Sequence, residues 1–364
     1  MERAECDVLR RGGRRRKWSA AGVTAVVLLA LGSCQQGSGG TWKEPVKGQA
    51  QALLSTDLKH NGSPDDGWLA FGGDPDGLTV GPDGKIYGLG TSLAVIEADH
   101  EARGILDTEV HGAGGLVVLS PNSFVVGNHS QLLKMQPNGA RTTLAGAPGK
   151  HRKLWQPVPA TAVAKDYHLS GDRIEPFGTR SDGSILFSDG DVIWQLKSGR
   201  LTRVYQLPKK EAGKVIDHGS AVDQAGTVYL TSSTGGVWGR FGDIVAISRS
   251  GSVGGFDVPE QITGVKGDPA DLELTWMAGD AGGGVYIRAR EPSADAEYVL
   301  HVTSGKTELV AKQVSGIDYD SGCKEGHLVD AMKLPCRMPD ALTYSPGSLV
   351  MAGNSSSVLK IATK

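Results

Sequence analysis

The sequence predicts an all-β fold over residues 49–364: a six-bladed β-propeller of four-stranded antiparallel blades whose ring is closed by an N-terminal strand. Three observations lead there. A short pattern, a turn residue followed by β-branched and aromatic residues, recurs six times; glycine supplies 52 of the 364 residues, about twice its usual share; and the last repeat stops one strand short. The glycine does not mark collagen, because no Gly-X-Y period runs through the chain, and 39% hydrophobic against 21% charged residues allows a sizeable core. A net charge of −2, with no long Lys/Arg block beyond the first segment, argues against nucleic acid as the main partner.

The first segment reads as a targeting signal. Residues 1–17 carry seven basic and three acidic side chains, and no charge then occurs from Trp18 until Lys43. The apolar stretch from Ser19 to Leu31 falls short of the ~20 residues a spanning helix needs. It runs into Leu31-Gly32-Ser33-Cys34, a small-residue string that resembles a bacterial lipobox. The resemblance implies that the sulfur of Cys34 receives a diacylglyceryl group, that residues 1–33 are a lipoprotein signal peptide, and that the protein is lipid-anchored on the extracytoplasmic side of a bacterial cell membrane. An ordinary cleaved signal, or an uncleaved anchor with a coincidental cysteine, is the alternative, and Arg14-Arg15-Arg16 leaves the export route open. Residues 34–48 then form the lipidated tether, with QQGSGGT from Gln35 as a flexible spacer. Removing the seven basic and three acidic residues leaves 31 against 37, a mildly acidic mature chain.

The repeats follow in order: GKIYGLG from Gly84, NSFVVGN from Asn122, GSILFSD from Gly183, GTVYLTS from Gly226, GGVYIRA from Gly283 and GSLVMAG from Gly347. Turn-forming pairs such as Pro82-Asp83 and Ser181-Asp182 precede them, and tight turns between apolar runs mark hairpins in which Gly supplies positive φ. A further apolar run precedes each turn. A third strand follows, from SLAVIEA at Ser92 to SVLKIAT at Ser357, and often a fourth, as in ARTTLAG from Ala140, RLTRVYQ from Arg200 and KTELVAK from Lys306. Six such meanders predict a propeller, because each blade needs two neighbours to bury both of its faces.

In the third unit, TTLAG from Thr142, PATAVA from Pro159 and SDGSILFSDGDVIWQLKSG from Ser181 resemble an NHL-repeat blade, and the chain from about residue 50 onward is similar to six-bladed NHL and SMP-30-like propellers. The last unit shows three strands before Lys364. QAQALLS, Gln49 to Ser55, has the character of a fourth strand and is expected to pair with Ser357 to Thr363, which removes two open sheet edges. A loose N-terminal linker is the rival reading. With Cys34 lipidated, Cys323 and Cys336 remain to form a disulfide, as suits an exported chain. A metal reading that adds His327 lacks a fourth ligand.

Labelling the strands of a blade A to D from the channel outward, the A–B and C–D turns are short. The long connections are the D–A crossovers Ala145 to Arg173 and Gln313 to Pro339 and the B–C loops Ser232 to Gly242 and Arg288 to Ala296, all on the opposite face. Long loops on a rigid scaffold tend to carry function. They hold His151, Trp155, Tyr167 and His168, then Trp238 and Arg240, then Arg288, Arg290 and Glu291. Aromatic and Arg residues suit a recognition surface, while Trp155 and Trp238 equally suit lids folded over the core.

A second set lies at the starts of the inner strands: Asp76, Glu175 and His218 in blades one, three and four, and Asp340 beside Pro339 in blade six. SMP-30-like lactonases hold a divalent cation there through Glu and Asn/Asp side chains, so the resemblance implies Ca²⁺ or Mg²⁺ on this ring and an acid acting as base. Asp76-Gly77-Leu78 stands where that family has Glu-Gly-Pro, which counts against the enzyme reading, and carboxylates that simply cap strand ends are the plainer one. Gly235-Gly236 and Gly282 to Gly284 lie in hairpin loops without the strand-to-helix context of a phosphate cradle, and no GxSxG, HExxH or CxxC occurs. The expectation is therefore a monomeric, lipid-anchored binding module, needing no cofactor, that presents its long-loop face to a protein, glycan or small ligand. A divalent-metal-dependent hydrolase or lactonase is the alternative, and a structural envelope component the third.

Overall fold

The computed structural model describes residues 42–55, 70–71, 76–97, 100–106, 114–216, 219–234, 238–293, 295–313, 323–353 and 357–364. Cys34 and His218 lie outside them. Among the described residues no helix is long and apolar enough to cross a membrane.

Six antiparallel meanders form the ring. Their inner strands are Gly77–Val80, Gly114–Ser120, Ile174–Thr179, Ala221–Val222, Glu273–Gly279 and Ala341–Ser345. Five hairpin turns between the first and second strands place Gly84, Gly183, Gly226, Gly283 and Gly347 at φ between +76° and +88°, a region a side chain disfavours. Aspartates brace several of these turns. Asp83 accepts from the Lys85 N–H and the Tyr87 hydroxyl, Asp223 from the Thr227 N–H and the Tyr229 hydroxyl, and Asp280 from the N–H groups of Gly282 and Gly284. Burial, helped by Asp83 and Asp223, pushes both tyrosines well above their usual range.

The core is divided as the repeat pattern requires. Six apolar clusters each join two neighbouring blades, for example Tyr87 and Leu89 of blade one with Phe124 and Met135 of blade two, and Leu53 and Val358 of blade six with Leu78 and Ile96 of blade one. Gln49–Ser55 closes the ring as the fourth strand of blade six, with Ala50 opposite Ile361 and Ser55 opposite Ser357. The rival linker reading is thereby set aside.

Two crossovers read from the sequence as open loops each contribute a further strand. Thr161–Val163 covers the outer edge of blade three, with Thr161 opposite Thr202, and Leu328–Asp330 covers Gln49–Ser55, with Asp330 opposite Gln49. The reason is the unpaired N–H and C=O row that every outer strand would otherwise expose. Cys323 and Cys336 are disulfide-bonded, with Cα atoms 5.2 Å apart, and the Cys323 N–H donates to the Ser357 hydroxyl. The second crossover is thus fastened to blade six.

Candidate functional site

The inner strands enclose a channel with a cavity of about 230 Å³, lined among others by Asp76, Glu175, Ser220, Trp276, Thr343 and Tyr344. Trp276 also packs against the apolar clusters on both sides of blade six. Asp76 and Glu175 stand at inner-strand starts and so mark the mouth on the long-loop face.

Arg173, the last residue of the first crossover, lies between them. Its Nη2 is 2.5 Å from Asp76 Oδ1 and its Nε is 2.7 Å from Glu175 Oε1. Blade two makes room by carrying glycine. A Cβ on Gly114 would sit 2.8 Å from Arg173 Nε and 2.9 Å from Glu175 Cγ, and one on Gly115 would sit 2.3 Å from the Pro176 carbonyl oxygen. Asp340 is held in the same manner in blade six. Arg288 Nη2 is 2.8 Å from Asp340 Oδ1 and 2.8 Å from Glu297 Oε2, and Arg288 Nη1 donates to the Thr275 hydroxyl at 2.7 Å.

The lactonase resemblance implies Asp76, Glu175, His218 and Asp340 as cation ligands, against the plainer reading of strand-end caps. The three described carboxylates are each engaged by an arginine, and among the described residues no three His, Cys, Asp or Glu side chains converge as metal ligands. As arranged, these residues do not fit a divalent ion, because guanidinium groups already supply the positive charge between them.

The expected recognition residues are spread over three blades. His151 and His168 are exposed on the first crossover. Trp155 is half-buried and fixed, with its N–H donating to Asp191 Oδ2 at 3.0 Å and its indole N–H to the Lys214 carbonyl at 2.9 Å. Its φ of +56° is one a bulky residue keeps only where its surroundings impose it. Trp155 and Pro157 face Arg203 and Tyr205 across an open groove of about 760 Å³. Trp238 is exposed, and Arg240 is exposed but paired with Asp271 at 2.6 Å.

Arg290 is exposed, but Arg288 is not. Contrary to the sequence reading, Arg288 is not on the recognition surface: it is 2% exposed within the strand Val285–Glu291. That strand runs on to Glu291 and the next begins at Ala296, so the predicted B–C loop is shorter than Arg288 to Ala296.

Sequence reasoning missed the buried cluster around Arg152. Its Nε and Nη1 lie 3.0 and 2.7 Å from Asp189 and Asp191, and its Nη2 donates to the Asp189 carbonyl at 2.5 Å. Burial works against the Arg152 charge, but the two carboxylates outweigh it and raise its pKa. Ser170 N–H and the Trp194 indole also donate to Asp189. The signal was the Asp-Gly-Asp turn at 189–191, too acidic for a buried hairpin unless a cation closes over it.

No protein-family model and no curated protein sequence matches the chain. Among solved structures, the chain is similar to a gluconolactonase of Xanthomonas campestris, at 14% identity over 89% of this chain and 98% of that one, with a TM-score of 0.49. It is also similar to a calcium-binding protein, regucalcin, of Agrobacterium tumefaciens, at 11% identity over 86% and 92%, with a TM-score of 0.49. A putative gluconolactonase follows at 13% identity over 86% and 91%, with a TM-score of 0.48. These likenesses are of chain trace and say nothing about which residues act.

Proposed function

We propose that the channel mouth binds a small polyhydroxylated ligand, a sugar or sugar lactone, and that a monomeric protein displays this site from a lipid anchor at Cys34 outside a bacterial cell membrane. The Asp76–Arg173–Glu175 bridge at the entrance of the cavity carries this reading. Acceptors and donors alternate there within a few ångströms, an arrangement suited to neighbouring hydroxyl groups rather than to an apolar ligand. Ser220 and Thr343 add hydroxyl-bearing residues along the channel wall, and Trp276 adds an apolar surface. A volume of about 230 Å³ is below the ~300–1,000 Å³ of drug-sized pockets and suits a ligand no larger than one sugar ring.

A second reading, hydrolysis of such a lactone, is favoured by Glu175, a largely buried carboxylate lining the cavity that could take a proton from water. Calorimetric titration of the protein with monosaccharides, aldonic acids and aldonolactones tests both readings. Binding lost in Glu175→Gln and Asp76→Asn is the expected result, and no heat from any member of the panel would sink the proposal. Lactone turnover followed by acid release, absent in Glu175→Gln, would move the protein to the second reading. For the anchor, Cys34→Ser should release the protein into the medium, and unchanged membrane retention would contradict lipidation.

A further inference from the structure

We infer that Arg173 is the resident cation of the channel mouth, taking the place of a divalent ion between Asp76 and Glu175, so that the site is assembled without metal. Its two contacts, 2.5 and 2.7 Å, come from Nη2 and Nε and reach carboxylates of two different blades. That is a bridge, which a divalent ion would otherwise have to supply. A guanidinium keeps its charge throughout the working pH range and presents its donors in a fixed plane. The bridge therefore depends on no ion concentration.

The space is shaped for the side chain. Gly114 leaves open the volume in which Arg173 Nε and Glu175 Cγ lie, at 2.8 and 2.9 Å from where a Cβ would be. A second arginine bridges carboxylates in the same way between neighbouring blades, where Arg288 of blade five links Asp340 of blade six to Glu297 of its own blade at 2.8 Å each. Ca²⁺ requires six to eight oxygen ligands, and Asp76 and Glu175 can turn toward an ion only by releasing Arg173.

This inference concerns the mouth already proposed as a ligand site but does not rest on that reading, because cation binding is measured without any sugar. The experiment is calorimetric titration of the full chain with Ca²⁺ and Mg²⁺, alongside Arg173→Ala, Arg173→Gln and Arg173→Lys. The wild type and Arg173→Lys, which keep a cation in place, should show no saturable binding tighter than about 1 mM, the weak end of extracellular calcium modules. Arg173→Ala and Arg173→Gln should each gain one site, and added Ca²⁺ should raise their melting temperature while leaving that of the wild type unchanged. Stoichiometric Ca²⁺ or Mg²⁺ binding by the wild type that is lost in a folded Glu175→Gln would overturn the inference, and this arm needs no Arg173 variant. Failure of both folded neutral variants to gain a site would overturn it equally.

Discussion

Arg152 and Arg173 lie toward opposite ends of one crossover and do different work. Arg152 has a side chain 9% exposed, and its nitrogens end on Asp189, Asp191 and the Asp189 carbonyl, all within blade three. Arg173 is 36% exposed and joins blade one to blade three beside an open cavity. The residue type is the same, and so is the loop. What separates a fastening from a site is whether water and ligand can reach the charges once they are paired.

The sharpest break of this comparison is Asp189→Ala, which strips Arg152, Ser170 and Trp194 of a shared acceptor. Removing one partner of a buried ion pair costs about 3–5 kcal/mol, to be read from urea unfolding; a loss confined to a few tenths would make the cluster dispensable. The second crossover offers a covalent counterpart. Replacing Cys323 and Cys336 together by Ser should cost roughly 3 kcal/mol, with unaltered calorimetric binding at the channel mouth. Arg173→Gln, by contrast, should cost less than Asp189→Ala, because Arg173 and Asp76 are each about one-third exposed and such pairs contribute little, yet abolish sugar binding. A large stability loss there would make Arg173 a second Arg152. Gly114→Ala should reproduce the binding defect by displacing the arginine.

The smallest effect concerns alkaline pH. Tyr87 and Tyr229 are raised when folded, by burial first and then by Asp83 and Asp223. Their contribution is therefore fully present below the unfolded pKa of about 10 and is lost as pH rises toward the folded value. Tyr229→Phe should flatten the decline of melting temperature above that pH.

The scaffold was legible because its rules are local. A turn glycine, an alternating strand and a cysteine pair all announce themselves within a few residues, and even the closing strand followed from counting. The site was not legible in this way. Arg173 meets Asp76 across 97 positions, and Arg152 meets Asp189 across 37. Neither meeting follows from periodicity, because the path of an irregular crossover decides it. Arg288 misled for a related reason: a charged residue near a strand end reads as loop, whereas here the acceptors Asp340 and Glu297 draw it inward.

The closing of the ring has a kinetic consequence. Among the described strands Gln49–Ser55 is the first made, whereas Ser357–Ala362, its partner, is the last of them. Pairings so distant in sequence form slowly, and an unpaired edge invites association with other chains while it waits. Leu328–Asp330 lies on the other side of that same early strand. It is synthesised before Ser357–Ala362 and can shield one edge of the waiting strand. Deleting it should therefore increase aggregation during refolding more than it lowers the stability of the finished ring.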